Sequence, residues 1–275
     1  MSLWRLIRGE HGILAALAST SSYIIAGGRD PFTALLLAFS TFLAEAGLFA
    51  HNDVANLPED RLNRPNAPLV TGSVSLRTAK TVAYGSLTSG GAAALFLGAA
   101  PFLIYLTAAS LGVMYNAKLK KRPVVGNLTV AFLTSMTYIY GMAAAGSYSS
   151  VLAALFISSL VANLGREWVK TAIDYEGDRA AGLKTLAVAM GPQRTAALGA
   201  ATTLTSAAPG ALLIYLSFVE GLYIIATGAA ATVALLIYYS FIALRGGWER
   251  YRNGTLAAFG ITLITLIIEA LWLLF

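Results

Sequence analysis

Between His51 and Gly72 the chain reads HNDVANLPEDRLNRPNAPLVTG. Three acids (Asp53, Glu59, Asp60), two amides that can offer oxygen ligands (Asn52, Asn56) and two arginines (Arg61, Arg64) stand together there. They directly follow residues 32–50, an apolar run whose one charge is Glu45. Carboxylate oxygens suit a hard hydrated cation, and guanidinium groups suit a phosphate. The stretch reads as half of a magnesium–diphosphate site.

A second cluster lies in NLGREWVKTAIDYEGDRAAGLKTL, Asn163 to Leu186. Arg166, Lys170 and Asp174 are spaced i, i+4, i+8 and Asn163 precedes Arg166 by three, so one helical stripe carries four polar groups. Ionisable groups at membrane depth are costly unless paired or facing water, which makes an inward-facing functional cavity the expected setting. The competing reading is that Arg166, Glu167 and Lys170 pair with one another and brace the bundle. Asp174 and Asp178 are again i, i+4, a spacing that lets two carboxylates share one Mg²⁺. Each cluster contains an Asp-Arg pair, Asp60-Arg61 and Asp178-Arg179, followed by a loop with Pro or Gly, which hints at an internal duplication. Between the clusters the loop Tyr115-Asn-Ala-Lys-Leu-Lys-Lys-Arg-Pro123 adds four positive charges. Lys121 and Arg122 suit a solvated loop, whereas Lys118 and Lys120 are candidates for phosphate.

The elements that must position these groups are membrane helices. The 275 residues are 57% hydrophobic and 12% charged, with a mean hydropathy of +0.69, against about 25% charged in soluble domains. Apolar runs of the length that crosses a bilayer recur from end to end. The expected fold is an all-α bundle of about nine transmembrane helices around a central cavity, one integral membrane domain over 1–275. Its spans fall near 11–28, 32–54, 74–97, 100–116, 123–146, 150–175, 187–208, 211–243 and 255–274. Glu220-Gly221 is the weak point of the eighth. The basic, apolar N-terminus reads as a retained first helix, and with no cysteine there is neither disulfide framework nor thiolate chemistry.

Parity places the connections after spans two, four, six and eight on one face, together with both acidic clusters. Of the 19 Lys and Arg, all but Arg29, Arg166 and Lys170 fall on that face. The crowded face is therefore expected to be cytoplasmic. The net charge of +6 is a topological signal, and no nucleic-acid partner is expected. No obligatory protein partner is evident either.

The motif Asn52-Asp53-x-x-Asn56-x-x-x-Asp60-Arg61-x-x-Arg64-Pro65-Asn66-x-Pro68-x-x-x-Gly72 resembles the first aspartate-rich motif of the UbiA-type intramembrane prenyltransferases. Asp174-Tyr-Glu-Gly-Asp178-Arg-Ala-Ala-Gly-Leu-Lys-Thr-Leu186 resembles the second, and Tyr115-Asn116 with Leu119-Lys120 is similar to the family's short loop motif. The resemblance implies Mg²⁺ held by Asp53, Asp60, Asp174 and Asp178 with Asn56 assisting. It implies a prenyl diphosphate clamped by Asn52, Arg61, Arg64, Lys118 and Lys120, with Asp53, Asp174, Lys118 and Arg64 central to catalysis. The apolar wall would hold the prenyl chain, and rings such as Tyr115, Tyr138 and Tyr140 are candidates to face an allylic cation. Two positions depart from the family pattern: Asn56 stands where the family has an aspartate, and Thr171 where it often has an acid.

Arg166-Glu-x-x-Lys170 with the second motif is most similar to the branch that makes the glycerol-phosphate ethers of archaeal lipids. Arg166, Lys170, Lys184, Tyr115 and Asn116 are then the expected acceptor contacts. An aromatic acid such as 4-hydroxybenzoate is the alternative acceptor, since a carboxylate would use an arginine equally well. A transporter or receptor binding an anion without chemistry is the reading from another class. Acids gathered on one face, with no matching polar groups opposite, count against it.

Overall fold

A computed structural model describes residues 2–180 and 182–275, the side chains of Leu62 and Asn63 excepted. Ala181 of the second motif lies outside the described residues. Every regular element described is helical. In order these are α1 (Ser2–Ile7), α2 (Gly9–Ile25), α3 (Pro31–Ala55), α4 (Leu57–Asn63), α5 (Leu76–Phe96), α6 (Ala99–Ala117), α7 (Val125–Ala144), α8 (Ser150–Ile173), α9 (Tyr175–Ala180), α10 (Leu186–Met190), α11 (Pro192–Thr205), α12 (Ala207–Val219), α13 (Tyr223–Leu244) and α14 (Trp248–Trp272). A 3-10 turn, Leu119–Lys121, precedes α7.

Among the described residues six stretches are long and apolar enough to cross a membrane: α3, α6, α8, α11 with α12, α13 and α14. The expected first, third and fifth spans are also helical, as α2, α5 and α7, but α2 has only 17 residues and α5 carries Arg77 and Lys80. The expected seventh and eighth spans, 187–208 and 211–243, need correction. Pro192 opens a helix that runs to Val219 with only a bend at Ser206. The break falls instead at Glu220-Gly221, where Gly221 takes φ +77° and α13 restarts at Tyr223. A residue with φ in that region ends a helix cheaply only if it is glycine.

Local chemistry sets the helix ends. Asp30 caps α3: its carboxylate accepts the Thr33 N–H at 2.7 Å and the Thr33 hydroxyl at 2.6 Å, with Pro31 in the first turn. Those two donors hold the Asp30 carboxyl below its usual range. Glu269, deep in α14, accepts the N–H groups of Ile224 and Ile225 at 2.8 and 2.9 Å and so closes the otherwise uncapped start of α13.

The packing is that of a membrane protein. Large apolar side chains face outward, Phe32 at 65% and Phe96 at 82% exposure, while the interior is rich in Ala, Ser and Thr. Lipid tails are as apolar as leucine, so helices associate through close contact and hydrogen bonds between small residues.

The chain divides into two compact units. The first comprises residues up to Lys118 with Tyr140–Tyr148. In it α3 packs against α1, α2, α5 and α6. The Ser40 hydroxyl reaches the Gly90 carbonyl at 2.9 Å and the Tyr140 hydroxyl at 2.7 Å. The second comprises Leu119–Ile139 and Ser149–Phe275. There α8 packs on α11 so closely that a Cβ at Gly165 would lie 2.5 Å from the Gly199 carbonyl oxygen. α13 and α14 are tied by Thr232, whose hydroxyl contacts the Ala258 carbonyl at 3.0 Å and the Thr262 hydroxyl at 2.9 Å.

Candidate functional site

The first acidic cluster is built on one helical ladder that crosses a break. Asn56 ends α3 as its C-cap, yet its N–H still bonds to the Asn52 carbonyl at 2.9 Å. The Asp60 N–H bonds to the Asn56 carbonyl at 2.8 Å, and the Arg64 N–H to that of Asp60 at 2.8 Å. Asn52, Asn56, Asp60 and Arg64 therefore follow one another at four-residue spacing along α3 and α4.

Asp53 is the buried centre of this cluster, 1% exposed. Its Oδ1 receives Arg64 Nη1 at 3.2 Å and Arg8 Nη2 at 3.5 Å, and Arg64 Nη1 also stands 3.5 Å from Asp60 Oδ2. Its second oxygen, Oδ2, is buried with no hydrogen-bond partner. A buried carboxylate oxygen without a donor costs about 1–3 kcal/mol or more, so this atom is shaped for a cation. Asn56 and Asp60, the other oxygen donors of the group, are buried too, at 5% and 8% exposure.

The amides around Asp53 serve the scaffold as much as the ligand. Asn56 Nδ2 donates to Asn52 Oδ1 at 3.0 Å, and Asn52 Nδ2 donates to Asn116 Oδ1 at 2.7 Å. Asn116 Nδ2 donates to the Leu48 carbonyl at 3.0 Å and lies 3.2 Å from His51 Nδ1. These bonds fix the end of α6 against α3 and leave Asn56 Oδ1, not its NH₂, as the group to offer a metal. Asn116 is thereby held in a positioning network, whatever it offers an acceptor. Arg61 is exposed on α4, and Lys118 is the exposed C-cap of α6.

The second cluster repeats the construction. α8 ends at Ile173 with Asp174 as C-cap, and the chain re-enters a helix at Tyr175. The Asp174 N–H bonds to the Lys170 carbonyl at 3.0 Å, and the Asp178 N–H to that of Asp174 at 2.9 Å. A long helix, an Asn or Asp cap and a short helix carrying the next aspartate occur in both clusters. Asn56 and Asp174 occupy the same place in this pattern, as do Asp60 and Asp178. The duplication hinted at by the Asp-Arg pairs thus has a local structural counterpart.

The Arg166–Lys170 stripe is graded in exposure. Arg166 is largely covered, Lys170 half exposed and Asp174 exposed. Glu167 stands between the two bases, 3.7 Å from Arg166 Nη1 and 3.9 Å from Lys170 Nζ. The bracing arrangement is therefore present, but it leaves Arg166 Nε buried and without a partner. Asn163 lines a partly open cavity of about 90 Å³ together with Tyr138, Ser159 and Phe259. Burial pushes the Asp178 carboxyl above its usual range and Asp174 adds to the rise, while Thr185, Lys120 and Lys170 oppose it. Lys120 therefore stands near enough to Asp178 to favour its charged form. Lys184 is exposed in the segment after α9. Thr171, which departs from the motif's frequent acid, accepts from Asn127 Nδ2 at 3.2 Å and ties α7 to α8. Tyr140 is engaged by Ser40 and belongs to the packing.

Among the described residues no three acids or histidines stand close enough to cage a metal on their own. Mg²⁺ does not require such a cage, since it is commonly held by one or two carboxylates with substrate phosphates and water. Paired acids flanked by Arg and Lys fit that requirement.

One partner of Asp53 was not apparent in the sequence. Arg8 appeared there only as one of many positive charges on one face. It occupies a left-handed turn between α1 and α2 (φ 48°), and its guanidinium lies 4.4 Å from the centre of the Phe49 ring, one turn before Asp53. Nothing in its local sequence distinguishes it from Arg5.

A model of the UbiA prenyltransferase family matches residues 13–269. The chain is 34% identical over 248 residues to a digeranylgeranylglyceryl phosphate synthase of Methanopyrus kandleri, with 89% of each chain covered. It is 35% identical over 209 residues to a protein of the same name from Methanoregula boonei, with 75% of each covered. Its fold is similar to that of a UbiA homolog from Archaeoglobus fulgidus bound to GPP and Mg²⁺, with a TM-score of 0.78, 22% identity, and 100% of this chain and 99% of that one covered.

Proposed function

The chain belongs to the UbiA prenyltransferase family, and from that premise we propose that it transfers a geranylgeranyl group from its diphosphate to geranylgeranylglyceryl phosphate in membrane ether-lipid synthesis. The similarity to the two synthases over three quarters or more of each chain supports the acceptor. The observation that carries the chemistry is Asp53, buried between two arginines with one oxygen unsatisfied.

Asp53, Asn56, Asp60, Asp174 and Asp178 would hold Mg²⁺, which when bound neutralises the diphosphate as it departs. Asn52, Arg61, Arg64, Lys118 and Lys120 serve the same anion. Guanidinium and ammonium donors fixed where negative charge develops favour cleavage of the allylic C–O bond without reorganising during the step. Of these, Arg64 is held in place by both Asp53 and Asp60. Burial of the cluster strengthens each such contact. The bond that forms joins the prenyl C1 to a hydroxyl oxygen of the acceptor, the bond that breaks is the allylic C–O bond, and the hydroxyl proton leaves with the released diphosphate. Arg166, Lys170 and Lys184 are the candidates for the acceptor phosphate, with Tyr115 and Asn116 beside them in role. Helices lined with Ala, Leu and Phe exclude water, which would otherwise capture the allylic cation. The site face is cytoplasmic in this reading, from the distribution of positive charge, and the whole chain acts as one prenyltransferase domain.

The test is a competition assay. Protein in lipid with Mg²⁺ and labelled geranylgeranyl diphosphate is given geranylgeranylglyceryl phosphate or 4-hydroxybenzoate, and products are separated by chromatography. Product from the glycerol phosphate alone is expected. Product from the benzoate alone would move the function to an aromatic acceptor. No product and no Mg²⁺-dependent diphosphate release would sink the transferase reading.

A further inference from the structure

At the turn between α13 and α14 the second unit has an open groove of about 670 Å³, a volume in the range of small-ligand sites. Its walls are Ile173 at the end of α8, Tyr238 and Ile242 on α13, Trp248 on α14, and the arginines Arg245 and Arg250. The apolar run of α13 stops at Leu244, so the turn Arg245–Gly247 marks the level where hydrocarbon gives way to headgroups. Trp248 is half-buried there, an amphipathic ring characteristic of that level, and Tyr238, about 10 Å further down α13, is 59% exposed. Gly246, at φ +88°, closes the turn tightly enough to bring both arginines to one rim.

The charges are not balanced within the protein. Glu249, the acid of the groove, is engaged by Arg252 at 2.8 Å, outside the lining. Arg245 and Arg250 are exposed and make no ion pair or side-chain hydrogen bond among the described residues. Two unpaired guanidinium groups above an apolar floor of isoleucine and aromatic rings match a molecule with a phosphate at one end and a hydrocarbon chain at the other.

We propose that this groove binds the headgroup of an anionic glycerophospholipid of the surrounding bilayer, its phosphate on Arg245 and Arg250 and its chain along Ile242 and Tyr238. Bound there, the lipid links the α13–α14 turn to Ile173, the residue that precedes Asp174. The proposal stands independently of the identity of the transferase acceptor.

Thermal unfolding of the full chain in detergent tests it, with added phosphatidylglycerol, phosphatidylcholine or inorganic phosphate. Phosphatidylglycerol is expected to raise the midpoint of the unaltered protein more than phosphatidylcholine does, and inorganic phosphate at equal concentration is expected to leave it unchanged. The variant Arg245→Gln/Arg250→Gln should unfold at the unaltered midpoint without lipid and lose the phosphatidylglycerol shift. Arg77→Gln/Lys80→Gln, which removes the same charge from α5, should keep it. An undiminished shift in the first variant, an equal loss in the second, or a shift produced by free phosphate alone would each overturn the proposal.

Discussion

At the scale of single residues the chemistry converges on Asp53. One carboxylate oxygen collects two guanidinium groups and the other, equally buried, collects nothing, an imbalance that protein groups alone leave uncorrected. Replacing Asp53 by Ala is expected to lower kcat by about two to three orders of magnitude, as removal of one preorganised charge-stabilising group does. Mg²⁺-dependent diphosphate release should fall with it. Arg8→Gln removes the more distant of the two guanidinium groups, at 3.5 Å, and leaves Arg64 in place. Its expected effect on kcat/KM is smaller, about tenfold, or ~1.4 kcal/mol. Steady-state kinetics of the two variants side by side check both values. An Arg8→Gln enzyme with unaltered kinetics would reduce Arg8 to one more topological charge.

At the scale of elements, the site depends on long helices that stop at an Asn or Asp and resume for fewer than two turns. That arrangement keeps backbone hydrogen bonds continuous through the break, so the side chains on either side stay in helical register while the axis changes. The supporting helices approach through glycine. At the α8–α11 crossing a new Cβ on Gly165 would meet the Thr203 hydroxyl oxygen and, at 2.5 and 2.7 Å, the Gly199 carbonyl oxygen and the Thr203 backbone nitrogen, and the last two cannot turn aside as the tip of a flexible side chain could. Gly165→Ala is therefore expected to destabilise the protein by about 1–3 kcal/mol, the usual cost of overpacking. It should also reduce activity through Arg166, the next residue. Denaturant unfolding in detergent measures the first effect. A variant as stable as the parent would show that α8 and α11 can separate without cost.

At the scale of the molecule, orientation in the membrane is open to a clean experiment because the chain has no cysteine. Single cysteines introduced at Lys184, after the second acidic motif, and at Glu220, at the α12–α13 turn, each report one position to an impermeant thiol reagent. The cytoplasmic assignment expects Lys184→Cys to react only in inverted vesicles and Glu220→Cys only in right-side-out ones. The reverse pattern would place the acidic clusters outside and remove the positive-charge argument.

Composition and periodicity alone determined that the chain is a helical membrane protein, because nothing but helices can satisfy the backbone in hydrocarbon over apolar runs of this length. The spacing of Asp53, Asn56 and Asp60, and of Asp174 and Asp178, marked the candidate ligands, since helical register carries side chains four apart to one face whatever the fold around them. The bounds of the seventh and eighth spans escaped although Glu220-Gly221 was visible as the weak point, because one charge within a long apolar run does not by itself end a helix. Only the backbone decides that the helix breaks there and merely bends at Ser206. The roles within the site escaped for another reason. That Arg8 reaches Asp53, that Asn116 is spent on α3, and that Glu167 stands between Arg166 and Lys170 are facts of distance between side chains. Two of them join residues far apart in the chain, and a sequence fixes such distances only through the packing of its helices.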